Sequence, residues 1–248
     1  MYANGLSFSI AAHSAWAPGV ETPEQWNEWA HAPYRIGNGP DPSLRAMPAM
    51  LRRRAGFLGK MALEVAYACL AGRTGVPTVF CSRHGEVARA VELLAELAAG
   101  QALSPTAFGL AVHNASAGLL SIARADRANH IALAGAEVTI EHGVIEACGL
   151  LAEGAPMVLL VAYDCPLPAL LEQFDGGEQP HAWAWLMTPA GADALSLSMG
   201  PGTEAGAAHL PAGLEILQFY LSGAARLERA TGAQRWTWSR HAGADANV

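Results

Sequence analysis

The sequence predicts an α/β protein in which helices cover both faces of a mostly parallel sheet. Three observations predict it. Short apolar, β-prone runs (Val76–Cys81, Asn129–Ala134, Met157–Tyr163) alternate with longer stretches of helical periodicity. Alanine, glycine and leucine dominate, which suits helices packed closely on a sheet. Finally, Thr106–Ala123 (TAFGLAVHNASAGLLSIA) reads as an apolar strand that passes through His113-Asn114 into small residues opening an apolar helix.

Taken in order, Leu6–Ala11 alternates and reads as a first strand, and His13–Gly19 as a loop. Thr22 can cap a short helix whose first turn holds Pro23, with Trp26 and Trp29 on its buried face. Pro33–Pro48, rich in Gly, Pro and Asn, is loop. A long helix is expected from about Pro48 to Leu70, where Leu51, Leu58, Met61, Val65 and Cys69 form one apolar stripe. Val76–Cys81 is the second strand, and Glu86–Ala99 an amphipathic helix stopped by Gly100. After the focal stretch come a strand at Asn129–Ala134, a helix at Val138–Leu151 and a central strand at Met157–Tyr163. Gln173–Pro180 is a polar, Gly-rich loop. His181–Met187 and Ala194–Met199 alternate like half-buried antiparallel strands. Gly200–Pro211 is loop, Ala212–Arg229 a terminal helix, and RWTWSRHAGADANV a fraying tail. No repeat or linker divides the chain, so residues 1–248 read as one domain.

Of the 248 residues, 52% are hydrophobic and 15% charged, enough to bury a large core and too apolar for a disordered chain. The net charge of −7 argues against general nucleic-acid binding, because little is present to neutralise a phosphate backbone. Cys69, Cys81, Cys148 and Cys165 lie far apart without a CxxC pair, so neither a zinc site nor a disulfide framework is expected. No two histidines stand four apart beside a glutamate, which removes the zinc-hydrolase pattern. The N-terminus lacks a basic leader and no window is apolar over a membrane-spanning length, so a cytoplasmic protein without a membrane span is expected.

A strand turning tightly into a helix displays one apex residue to the adjacent cavity, as in nucleophile elbows. Here the apex is mostly alanine. Val112-His113-Asn114-Ala115-Ser116-Ala117-Gly118-Leu119, with Ile122, resembles the elbow and helix of the β-ketoacyl synthases, and Leu133–Glu137 resembles their Gly-rich strand end. The order of Ser104–Phe108, Val112–Ile122, Ala134–Glu137, Tyr163–Pro168 and Arg235–Trp238 is similar to the short synthase-like proteins encoded beside aryl polyene pigment genes. That group is regarded as the chain length factor of a catalytic ketosynthase. The resemblance implies a thiolase-like fold, half of the ketosynthase architecture.

It also implies what is missing. Ala115 falls at the position of the acyl-accepting cysteine, and alanine cannot hold an acyl chain as a thioester. The two histidines of the family's C-terminal half lack counterparts, since His209 and His241 sit in loop or tail contexts. The expectation is a non-catalytic subunit, without cofactor or metal, paired with a catalytic ketosynthase and visited transiently by an acyl carrier protein. By resemblance, Thr106–Val112 should pair antiparallel across the subunit interface. Thr106, Phe108, Leu110, Val112, His113, Asn114, Ala115 and Ser116 are then candidates for the interface or the acyl tunnel wall. Arg52, Arg53 and Arg54, otherwise the solvated face of a helix, become candidates for steering the acidic carrier.

Simpler readings stand beside these. His113 and Asn114 can satisfy backbone groups around the elbow, and His84 and His142 read as surface residues. Trp183 and Trp185 read as core or interface. An independent acyltransferase or thioesterase would need Cys165, at the end of the most apolar strand, or Ser116 as its nucleophile.

Overall fold

The computed structural model describes residues 5–202 and 210–241. His209 and part of the Gly200–Pro211 loop lie outside the described residues. In chain order the elements are β1 (Leu6–Trp16), α1 (Pro23–His31), α2 (Ala49–Arg52), α3 (Phe57–Leu70), β2 (Thr78–Cys81) and α4 (Val87–Ala98). There follow α5 (Pro105–Gly109), α6 (Ala115–Arg124), β3 (His130–Leu133), α7 (Thr139–Ala152) and β4 (Val158–Asp164). The chain then forms β5 (His181–Pro189), β6 (Leu195–Pro201), α8 (Ala212–Leu221), β7 (Arg226–Thr231) and β8 (Gln234–Arg240).

One eight-stranded sheet runs β3-β2-β4-β5-β1-β6-β8-β7. Helices lie on both faces, as expected, but the sheet is not mostly parallel. Only β2–β3 and β2–β4 are parallel, while β4–β5, β1–β5, β1–β6, β6–β8 and β7–β8 are antiparallel. Parallel pairs need helical crossovers. The helices between β2, β3 and β4 supply them, whereas β5 follows β4 through only a 3-10 turn at Ala169–Phe174 and a loop.

β4 is the spine. Its alternation sends Val158, Leu160 and Ala162 to one core, with α1, α7 and α8, and Leu159, Val161 and Tyr163 to the other, with α3 and α6. Trp183 and Trp185 on β5 join the first core, their rings 4.4 Å apart, and the Trp183 indole donates to the Gly213 carbonyl at 2.9 Å. Both are core residues.

Several elements depart from expectation for identifiable reasons. β1 continues past Ala11 to Trp16 because the register shifts between Ile10 and Ala12, a bulge that lets His13–Trp16 pair with β5. The expected Pro48–Leu70 helix breaks, since Gly56 adopts an extended backbone and becomes the cap of α3. The terminal helix stops at Leu221, and the chain turns at Gly223 (φ +70°) into β7. The supposed tail is β8: R-W-T-W-S-R alternates, burying Trp236 and Trp238. The Thr22 cap holds as read, with Thr22 and Gln25 forming a reciprocal capping box.

Gly143 stands inside α7, where that helix approaches the sheet closely. A methyl at this position would overlap Cys81 Sγ and come within 3.0 Å of Leu160 Cδ1. Gly143→Ala should destabilise the protein by about 1–3 kcal/mol in urea unfolding. Cys81→Ala in the same chain should recover part of that loss, whereas simple additivity would mean the contact does not set the site's size.

Candidate functional site

The elbow is present in a different form. Ser104 Oγ accepts the Ala107 N–H at 3.3 Å and Pro105 occupies the first turn, so Pro105–Gly109 is a helix. Residues 110–114 are turn, and α6 starts at Ala115. The expected strand over Thr106–Val112 is therefore corrected to a helix followed by a turn. Among the described residues no strand lies beside it to satisfy a ladder, and the Ser-Pro start signal wins locally.

The candidate residues divide by burial. Thr106, Phe108, Val112 and Asn114 are exposed, with Phe108 64% accessible, while Leu110 and His113 are half-buried. Ala115 and Ser116 are buried at the start of α6. Ile122, farther along that helix, is 63% accessible. The outer side of the elbow thus presents large apolar side chains, and its inner side presents small ones.

The inner side is held by the loop leaving β2. His113 Nε2 lies 3.1 Å from the Leu133 carbonyl, and its ring packs on Gly85, where φ is +56° and no Cβ intrudes. Ser116 Oγ donates to Glu86 Oε1 at 3.4 Å. Both groups face Gly59 of α3, where a methyl would come within 3.0 Å of Ser116 Oγ and 3.2 Å of Glu86 Oε1. Burial pushes the Glu86 carboxyl above its ordinary range, against the opposing influence of Arg89 and the Ser116 hydrogen bond. Burial likewise pushes the Tyr163 hydroxyl up, with Glu86 adding to the effect.

The loop is itself tied to the end of β4. Asp164 Oδ1 accepts Ser82 Oγ at 2.8 Å and the Arg83 N–H at 3.0 Å, while Ser82 Oγ accepts the Gly85 N–H at 2.8 Å. Beside it, Arg83 stands 3.8 Å from Glu178. Burial raises both the Asp164 and the Glu178 carboxyls; backbone and hydroxyl donors oppose it at Asp164, and the Asp164 charge reinforces it at Glu178. The sequence pattern marks Cys165 at the end of the most apolar strand and gives no sign of Glu86 or Glu178. The one available signal was the carboxylate that ends the most apolar strand.

Arg52 ends α2, and Arg53 and Arg54 follow in the turn after it. Arg53 and Arg54 are exposed, but Arg52 donates to the Leu44 carbonyl at 3.2 Å and is partly committed to the preceding loop. His84 and His142 are half-buried, not surface residues: burial holds the His84 imidazole below its ordinary value, and His142 meets the Trp236 ring edge-on at 5.9 Å. His241 closes β8 and donates its backbone N–H to Ala194. Among the described residues no group of three or more His, Cys, Asp or Glu is placed to hold a metal ion, and no helix is long and apolar enough to cross a membrane.

With this geometry in hand, the family can be stated. Residues 26–239 match the family described as "Beta-ketoacyl synthase, N-terminal domain", and the chain belongs to it. No curated protein sequence matches the chain. A chain of the complex of ketosynthase ApeO with its chain length factor ApeC from Xenorhabdus doucetiae is similar in structure. It aligns with a TM-score of 0.84 and 27% identity over 95% of this chain and 100% of that one. The ishigamide ketosynthase/chain length factor shares the fold at a TM-score of 0.62 and 16% identity, over 79% of this chain and 68% of that one. A β-ketoacyl synthase from Burkholderia phymatum STM815 shares it at 0.57 and 11%, over 89% and 71%.

The surroundings of Cys165 disfavour it as a nucleophile. Burial first, then the carboxylates of Asp164, Glu86, Glu178 and Asp175, push its thiol up to about 12. At about pH 8 its thiolate fraction is then of the order of one in ten thousand. Iodoacetamide should leave Cys165 of the folded protein unlabelled over hours while labelling it in urea, as read by peptide mass spectrometry. Rapid labelling of the native chain would reinstate a reactive thiol.

Proposed function

We propose that this chain is a non-catalytic chain length factor, which pairs with a catalytic β-ketoacyl-ACP synthase and helps shape the acyl tunnel during aryl polyene elongation. The observation that carries the reading is the buried start of α6. Ala115 lies where the family resemblance places the acyl-accepting cysteine, and the next side chain, Ser116, is engaged by the half-buried Glu86 carboxyl. A thioester-forming condensation needs a thiolate at that point. The end-to-end similarity to a chain of a ketosynthase and chain length factor complex supports the same reading.

In this proposal residues 1–248 act as one cytoplasmic unit, and the partner contributes the cysteine and both histidines. Phe108, Val112 and Ile122 are the apolar groups offered to that partner, through the α5–turn surface in place of an expected strand. Exposed apolar groups of this size gain from being covered. Leu110, half-buried behind them, is the tunnel-wall candidate, with Thr106, His113 and Asn114 around it. Arg53 and Arg54 are the cations available to an acidic carrier, with Arg52 held against the preceding loop.

Co-expression with the ketosynthase of its gene neighbourhood tests the proposal. A one-to-one complex is expected, with carrier-dependent condensation only when both chains are present. Phe108→Asp with Val112→Asp should weaken association at least about tenfold, and Leu110→Ala should lengthen the product. Replacing Arg53 and Arg54 by Ser should raise KM for the carrier about threefold or more with little change in kcat. Failure to associate, together with activity of the isolated chain that Cys165→Ala abolishes, would overturn the reading.

A further inference from the structure

A cleft of about 700 Å3 opens on the α7–α8 side of the sheet, opposite the elbow, whose helix packs on the α3 side. Its volume lies in the range of small-molecule sites. The end of β4, at Asp164, reaches its floor, and Glu178 and Arg83 stand beside it. The first turns of α7 and α8 and the β7–β8 hairpin form its walls.

The charges lining it are unequal. Glu137, Asp164, Glu178, Glu215 and Glu228 face it, against Arg83 and Arg229. Arg229 is already neutralised, paired with the fully buried Glu141 and with Glu215 at 2.9 Å. Those two glutamates occupy the first turns of α7 and α8, so they also answer the positive ends of both helices. Glu178 is answered only in part. Its side chain is 6% exposed and has Arg83 no nearer than 3.8 Å, and its Oε2 has no hydrogen-bond partner among the described residues. Glu178 lines the cleft, and a buried carboxyl oxygen without a hydrogen-bond partner gains from a cationic donor brought beside it. A bare metal ion does not fit, because no three ligating groups converge among the described residues. Ile140, Pro211 and Ala212 offer apolar surface for a ligand body.

We propose that this cleft binds a small organic cation, an ammonium or guanidinium on a short aliphatic body, with its charge seated against Glu178 and Asp164. The proposal rests on the lining of the cleft and not on the proposed subunit pairing.

The protonation of the two carboxyls gives the site a signature. Glu178 is faced by Asp164, Asp175 and Arg83. Asp164 is faced by Arg83 and Glu178, with Cys81, Cys165 and Tyr163 nearby. Burial holds both carboxyls above their ordinary range. A bound cation favours their charged forms, so binding near neutral pH expels protons, and affinity rises with pH until both are ionised.

Isothermal titration of the purified full-length chain with agmatine and with cadaverine, at low salt and in two buffers of different ionisation enthalpy, tests this. Binding should be about tenfold tighter at about pH 8.5 than at about pH 6, with protons released at the lower pH. Glu178→Gln should weaken binding about tenfold while leaving the thermal transition in place. Glu178→Asp, which keeps the charge but withdraws it, should fall between the two and serves should the amide variant not fold. No binding heat at either pH, equal affinity in Glu178→Gln, or equal affinity for uncharged pentanol would overturn the proposal.

Discussion

Everything in this fold leans on the burial of one strand. Val158–Tyr163 is at most 1% exposed at every position, covered on both faces and paired on both edges. A strand so placed can carry only apolar side chains until it emerges, and it emerges at Asp164. There the chemistry changes within one residue. The Asp164 carboxylate receives the hydroxyl of Ser82 and the backbone N–H of Arg83, fixing the loop that leaves the neighbouring parallel strand. That loop then supplies Gly85, against which His113 packs, and Glu86, which meets Ser116. The elbow is thus positioned by the end of a strand with which it shares no hydrogen-bond ladder. On the other face, the same strand end reaches the floor of the acidic cleft.

How much of this was legible in the sequence follows the range of the forces involved. Signals carried by local periodicity were readable: the apolar run of β4, the stripe of α3 and the Thr22-Pro23 start of α1 each declare themselves within a few residues. Signals that depend on who sits alongside were not. Thr106–Val112 has strand-like composition, but strand formation needs a neighbour, and without one Ser104-Pro105 tips the segment into a helix. The direction of β5 relative to β4 was hidden because the connection between them has no helical periodicity. The tail failed for a different reason, since its alternating Trp236 and Trp238 followed the expected pattern and only their position near the end disguised it.

The site divides along the same line. Ala115 and its neighbours stood out through a resemblance and are brought together at the buried start of α6. Glu86 and Glu178 are far from that stretch in sequence, and nothing local marks a glutamate that will be half-buried, like Glu86, or buried, like Glu178. Only the folded chain brings Glu86 to Ser116, 30 positions away, or Arg83 to Glu178. Arg52–Arg54 read as one cluster, yet the carbonyl of Leu44 takes up Arg52 and leaves two free cations of the three.

On the proposed reading, the change around Ala115 is more than the loss of a thiol. A ketosynthase elbow must leave apolar space beside its nucleophile for an acyl chain, and must keep that space free of uncompensated charge. Here the space behind the elbow is occupied by a carboxyl with a serine hydroxyl against it, closed over by the glycine face of α3 at Gly59. Such a carboxyl is tolerable only while it is hydrogen-bonded or protonated, and burial indeed favours the neutral form. Putting an acyl chain beside it would strip those partners and leave a polar group against hydrocarbon. On that reading, placing a cysteine at position 115 would not by itself create an acyl site. In the proposed pairing, the contribution of this chain to a tunnel comes from Leu110, behind the outward side of the elbow where Phe108 and Val112 stand ready to be covered, and not from the space beside Ala115.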